Sequence, residues 1–322
     1  MKIIFQTDTL CYRGSTVAVS DYARYNQNIL GNESIICYDA SRPYHIDGGT
    51  EPEVLSNLQK EFQVVGYNRV DELQYLVDNE GVDLAYFSRC ERGWVPDNCR
   101  AVAHSVFQVY EPHANVYAYI SEWLAEEMNR RHNDTLPFVP HIVTLPEATG
   151  NLKAELGIQP GQVVIGRIGG LNTFDIPFVK QAVVNVLDQR DDVVFIFAGT
   201  ARWIDHPRVR YIPEFHNVQK KANFFNTCDA TLHARASGES FGLAIAESLF
   251  MNKPVLAWEG GWDQNHALML RGSQLLYNET NLVDKLLNIR DYITAEDWRK
   301  RVEQFNPATV MAKFKDVFFE PV

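Results

Sequence analysis

Two glutamates, Glu239 and Glu247, stand eight residues apart in the run Arg235-Ala236-Ser237-Gly238-Glu239-Ser240-Phe241-Gly242-Leu243-Ala244-Ile245-Ala246-Glu247-Ser248-Leu249-Phe250. The run reads as a small-residue turn entering a helix whose body is almost wholly apolar, hence a helix buried among other elements. An ionised carboxylate taken out of water needs a partner or a cleft, which makes Glu247 a candidate for chemistry against the plainer reading of a solvated helix face. Glu239 has its own plain reading, an acid that favours a helix N-terminus. If both lie on the helix, a rise of about 1.5 Å per residue sets them about 12 Å apart. The carboxyl pairs of glycoside hydrolysis stand roughly 5 to 9.5 Å apart, so the spacing argues against hydrolysis. It suits a long polyhydroxylated ligand gripped at two points, with anionic groups near the helix N-terminus between them, the layout of a nucleotide-diphosphate sugar.

The elements that must position these residues follow from patterning. Short β-branched and aromatic runs predict strands over residues 2–7, 34–39, 63–67, 83–88, 101–107 and 115–120, with helices over 17–30 and 121–131 among them. A second series of strands is predicted over 163–168, 193–198, 209–212, 230–233, 254–258 and 274–277. The alternation restarts, which predicts an α/β chain of two tandem Rossmann-like domains. Three prolines, Pro137, Pro140 and Pro146, mark the boundary. The expected domains are 1–145, 146–300 and a C-terminal helix over 301–322 returning toward the first. Within that helix Asn306-Pro307 reads as a cap followed by proline at the first helical position, and Val310, Phe314, Val317 and Phe318 form one apolar face.

Composition bounds the ligand. The 322 residues suit two domains, and 41 acidic against 30 basic residues give a net charge of −11, the wrong sign for wrapping nucleic acid. With 46% hydrophobic and 22% charged residues the chain is not compositionally disordered. Polar Gln6, Thr7 and Asp8 follow the first strand too early for a signal peptide, and no run reaches the roughly 18 residues of a membrane span. Cys11, Cys37, Cys90, Cys99 and Cys228 are odd in number and scattered, which argues against a disulfide framework or zinc site and for a reducing cytoplasm. Asp191-Asp192 reads as a solvated turn rather than a metal site, and Gly260-Gly261-Trp262-Asp263 as either a plain turn or a helix start near the ligand.

Glu239-x7-Glu247, with Phe241-Gly242-Leu243 inside it and Lys253-Pro254-Val255 after it, resembles the signature of retaining GT-B glycosyltransferases of glycosyltransferase family 4. Val164-Ile165-Gly166-Arg167-Ile168 resembles the strand that opens that family's donor domain. Val139-Pro140-His141-Ile142-Val143 resembles its interdomain linker, and Ala118-Tyr119-Ile120-Ser121-Glu122-Trp123-Leu124 its last N-domain strand and helix start. The resemblance spans most of the chain and is strongest from about residue 160 to 260. It implies two Rossmann-like domains facing across a cleft and transfer of a hexose-type sugar from a UDP- or GDP-linked donor to an acceptor hydroxyl on a glycan, lipid or protein-linked glycan. No metal or other cofactor is expected.

By the same resemblance, Glu239 binds hydroxyls of the transferred sugar and stabilises its developing charge, and Glu247 holds the ribose. Arg167, beside Gly166, neutralises the diphosphate, aided by backbone N–H groups of Ser240, Phe241 and Gly242. His104 is either a histidine facing the donor sugar or a structural histidine satisfied in the core. The first turn departs from the family, with Arg13-Gly14 in place of two glycines. The lysine usual about five residues after Arg167 is replaced by Asn172 and Thr173. These two can donate hydrogen bonds, or Arg13, Arg202 or Arg235 can supply the missing charge. A nucleotide-sugar epimerase or hydrolase of the same fold and a non-catalytic binding module remain alternatives, and a peripheral membrane contact stays open.

Overall fold

A computed structural model describes residues 1–42, 49–88, 92–215 and 217–320, and divides into two compact units, Met1–Ile142 with Phe305–Val322, and Val143–Gln304. The first unit carries strands β1 (Lys2–Thr7), β2 (Glu33–Asp39), β3 (Gln63–Tyr67), β4 (Leu84–Ser88), β5 (Arg100–Ser105) and β6 (Val116–Tyr119). They form one sheet in the order β3-β2-β1-β4-β5-β6, every pairing parallel. Helices α1 (Gly14–Asn28), α2 (Pro52–Leu58), α3 (Val70–Glu80) and α4 (Glu122–His132) accompany it. Ser121 caps α4 by accepting from the Leu124 N–H, and Asn133, with φ 51°, ends it in the left-handed region.

Both faces of this sheet are buried, as parallel sheets require. On one, Phe5, Tyr22 and Tyr86 pack with Val310, Met311, Phe314 and Phe318 of the C-terminal helix Pro307–Phe318, whose start Asn306 caps by accepting from the Thr309 N–H. On the other, Ile4, Ile35, Ala85 and Phe87 pack against Leu73 and Val77 of α3.

The second unit repeats the plan with β7 (Val163–Ile168), β8 (Val193–Ala198), β9 (Val209–Ile212), β10 (Ala230–His233), β11 (Gly238–Glu239), β12 (Val255–Trp258), β13 (Asp263–Gln264) and β14 (Leu276–Tyr277). Its main sheet runs β14-β12-β10-β7-β8-β9, again all parallel. The helices are α5 (Pro177–Gln189), α6 (Val218–Thr227), α7 (Leu243–Phe250), α8 (Asn265–Met269), α9 (Leu282–Leu287) and α10 (Arg290–Ile293), followed by a 3-10 segment, Trp298–Phe305. β8 is buried along its whole length, so Val193-Val194-Phe195-Ile196-Phe197-Ala198 is apolar without alternation.

Both sheets have the doubly wound order in which the first and fourth strands lie side by side and their following connections leave in opposite directions. In the second unit those neighbours are β7 and β10. Ligands of such sheets bind beyond the carboxyl ends of the strands at that reversal. β11 and β13 make a separate parallel pair, Gly238 opposite Asp263 and Glu239 opposite Gln264, which the strand patterning does not reveal. Cys11, Cys37, Cys99 and Cys228 are free thiols, and Cys90 lies outside the described residues.

Candidate functional site

Arg167 is the penultimate residue of β7, and its side chain is buried at the carboxyl end of the strand. Its guanidinium donates to Thr200 Oγ1 and Thr173 Oγ1, each at 2.6 Å, and to the carbonyl of Gly170 at 3.2 Å. The planar fork therefore joins the loops after β7 and β8. Burial pushes its pKa down to about 10, opposed by the charges of Glu239, Asp175 and Glu214, so the cation persists at neutral pH. Thr173, expected to stand in for a lysine at the ligand, instead orients Arg167 and donates to the Gly170 carbonyl at 3.0 Å. Asn172 beside it is exposed.

Gly166 precedes Arg167 on β7. A Cβ there would lie 2.3 Å from Cys228 Sγ and 2.9 Å from Phe224 Cζ, so this glycine lets α6 close onto β7.

The segment after β10 is tied to the segment after β7. Ala236 donates its N–H to Asp175 Oδ1 at 2.8 Å, and the Asp175 N–H donates to the Ala234 carbonyl at 3.2 Å. Gly238 has φ +75° and comes so close to β13 that a Cβ would sit 1.9 Å from the Asp263 carbonyl oxygen. Only glycine permits that approach, and it brings Glu239 into the two-residue strand β11.

Glu239 is therefore not on the helix, and the distance expected for two glutamates on one helix does not apply. Its Oε1 lies 2.9 Å from His233 Nε2 and its Oε2 3.2 Å from Arg235 Nη1. Burial raises the pKa of the Glu239 carboxyl, but the His233 hydrogen bond and the charges of His233, Arg235 and His266 outweigh it and hold the group below its ordinary range. Ser240 and buried Phe241 lead to Gly242, whose φ of 95° turns the chain into α7. The Phe241 carbonyl accepts from Asn265 Nδ2 at 2.8 Å.

Glu247 lies on α7 and is buried, and its partner is Lys221 of α6, with Nζ 2.6 Å from Oε1. Sequence patterning singled out neither Lys221 nor His233. The trace of His233 was a lone imidazole closing the apolar run Ala230-Thr231-Leu232. Lys221 sits in an amphipathic helix where lysines are ordinary. Of the arginines that could replace the absent lysine, Arg235 contacts Glu239, while Arg202 lies over the Tyr211 ring at 5.2 Å.

Arg13, Gly14 and His104 belong to the first unit. Arg13 is the exposed cap residue of α1 and Gly14 its first residue, at the carboxyl side of β1. His104 is fully buried in β5, its Nε2 3.1 Å from the Tyr119 carbonyl and its Nδ1 2.8 Å from the Tyr86 hydroxyl. A carbonyl only accepts, so Nε2 carries the proton and Nδ1 accepts from Tyr86. Both ring nitrogens are thus engaged within the core, and the expectation of a histidine facing a donor sugar gives way to the structural reading. Among the described residues no group of three or more His, Cys, Asp or Glu is placed to hold a metal, and no helix is long and apolar enough to cross a membrane.

No protein-family model matches the chain, and no curated protein matches its sequence. Its structure is similar to that of HepE from Anabaena in complex with UDP and glucose, with a TM-score of 0.73 at 15% identity over 98% of each chain. It is also similar to sucrose-phosphate synthase from Thermosynechococcus elongatus, with a TM-score of 0.71 at 14% identity over 99% of this chain and 98% of that one. A Listeria monocytogenes protein provisionally assigned as a UDP-N-acetylglucosamine 2-epimerase matches with a TM-score of 0.62 at 11% identity, over 99% of this chain and 96% of that one. At such identities the likeness shows the fold, which is GT-B.

Proposed function

We propose that the chain is a retaining glycosyltransferase that moves a hexose-type sugar from a UDP- or GDP-linked donor to an acceptor hydroxyl of a glycan or glycoconjugate. The observation that carries this reading is the convergence of Arg167 and the Glu239–His233–Arg235 cluster on the carboxyl ends of β7 and β10, in a fold shared with a protein solved with UDP. In this reading Arg167, fixed by Thr173 and Thr200, faces the departing diphosphate, and Arg235 supplies the second cation. Glu239 accepts hydrogen bonds from sugar hydroxyls and stabilises the positive charge that develops as the glycosidic bond lengthens. Glu247, with its charge balanced by Lys221, accepts from the ribose hydroxyls.

The diphosphate leaves from the face that the acceptor attacks and helps to take the acceptor proton, so the protein's work is positioning and electrostatics. Because guanidinium groups carry the phosphate charge in this proposal, activity survives chelation by EDTA. The chain works in the cytoplasm. A thermal-shift screen of UDP- and GDP-sugars tests the reading, since a ligand at 100 times its Kd stabilises the fold by about 2.7 kcal/mol. A rise for at least one sugar nucleotide, absent in Arg167→Ala, supports it, and no rise with any of them overturns it. The Listeria protein favours one rival, epimerisation without acceptor, which product analysis with donor alone separates.

A further inference from the structure

Glu239 is held from two sides by unlike partners. Arg235 reaches it on a flexible stem from its own loop, and its side chain is 33% exposed. His233 is the terminal residue of β10, inside the main sheet, with its side chain 10% exposed and its carbonyl accepting from the Tyr277 hydroxyl at 2.7 Å. Its backbone is therefore held within the sheet and its ring is buried, whereas the guanidinium stands partly exposed on a longer stem. An ionised carboxylate only accepts, so the 2.9 Å contact requires a proton on His233 Nε2, whether the imidazole is neutral or charged. Glu239 itself sits on the two-residue strand β11, which pairs with β13.

From this we infer that His233 is the positioning residue of Glu239, its Nε2–H keeping the carboxylate aimed when Arg235 turns to an incoming anion. The assignment rests on the glycosyltransferase reading for the use of Glu239, while the contact itself does not. Burial is the largest influence on the Glu239 carboxyl and acts to raise its pKa, so loss of the donor frees that upward push. Among the described residues the other ionisable groups around the pair are Arg235, His266 of α8 with its ring centroid 5.9 Å from that of His233, Tyr277, Arg167, Asp175 and Asp263. Of the two hydrogen bonds described to the Glu239 carboxylate, that of His233 comes from a strand of the main sheet and that of Arg235 from a loop.

The test follows the Glu239 carboxyl directly, by carbon NMR of the full chain labelled at glutamate side-chain carboxyls, with the signal assigned by its loss in Glu239→Gln. In His233→Phe the titration midpoint rises by about one pH unit or more, and in His233→Gln, which keeps an N–H donor, it stays within about half a unit of wild type. His233→Met serves if the phenylalanine variant does not fold. The acid limb of kcat/KM for the sugar nucleotide moves upward with the carboxyl in the apolar variants and returns in the glutamine variant. A Glu239 midpoint unmoved in a folded apolar variant overturns the assignment. A wild-type chain inert toward every sugar nucleotide removes the glycosyltransferase reading instead, and the carboxyl titration then still supports or overturns the His233–Glu239 pairing.

Discussion

Lys221 Nζ lies 2.6 Å from Glu247 Oε1, joining α6 to α7 with side chains only 16% and 6% exposed. Removing one partner of such a pair leaves an uncompensated buried charge, whereas replacing both by apolar groups does not. Lys221→Met is therefore expected to lose about 3–5 kcal/mol of stability, and the double variant Lys221→Met/Glu247→Leu to recover most of it. Urea unfolding of the wild type and both variants measures this, and a single variant as stable as wild type would show that Glu247 has another counter-charge.

Arg167 joins two loops through a planar fork, with Thr173 on one side and Thr200 on the other. A lysine keeps the charge but cannot bridge both hydroxyls. Transfer from the sugar nucleotide should fall about 100-fold or more in Arg167→Ala, in line with loss of a preorganised electrostatic group, and Arg167→Lys should remain impaired. Steady-state kinetics of the two variants decide it, and wild-type rates in the lysine variant would show that charge alone suffices.

Acid should destabilise the first unit through two buried histidines. Burial lowers the pKa of His104 to about 4, and burial with the charge of His104 lowers that of His141 to about 3. An unfolded histidine takes up its proton near pH 6.5. Between that value and the folded ones the unfolded chain binds protons that the folded chain does not. The stabilising effect of these neutral rings is complete above pH 6.5 and is lost on acidification, at up to about 1.4 kcal/mol per pH unit per histidine. Unfolding midpoints followed from about pH 7 to pH 5 should fall for wild type and fall less for His141→Gln. Equal slopes in the two proteins would contradict the assignment.

The C-terminal helix is part of the first unit's core. Phe314 is fully buried, with ring centroids 5.2 Å from Tyr22 and 5.7 Å from Tyr86. Phe314→Ala should cost about 3–5 kcal/mol, as truncation of buried aromatics does. An exposed control on the same helix, Lys315→Ala, should change stability by less than about 0.5 kcal/mol. Comparable losses in both, measured by urea unfolding, would mean that the helix contributes through its backbone alone.

The sheets were legible because buried parallel strands are continuous apolar runs. All twelve expected strands appear within two residues of their expected ends, from Lys2–Thr7 to Leu276–Tyr277. The site was legible only in part. Glu247 stands out because charge in an apolar run demands a partner, and Glu239 and Arg167 through their places in the motifs that resemble the family, but the identity of each partner is a tertiary fact. Lys221 is 26 residues from Glu247, and no local spacing links them. β11 and β13 escape detection because two residues carry no periodicity, and their pairing depends on a glycine backbone pressed against a carbonyl. His104 shows the reverse case, since of its two readings from the sequence the geometry favours the histidine satisfied in the core.

The most direct measurement of the central claim is the anomeric configuration of the product. The wild-type chain is incubated with UDP- and GDP-hexoses and a panel of glycan acceptors, and the anomeric protons are followed by NMR. A new glycoside with the donor's anomeric configuration, formed only with acceptor present and lost in Glu239→Ala, is the predicted result. An epimerised sugar formed without acceptor, or transfer unchanged in Glu239→Ala, would contradict it.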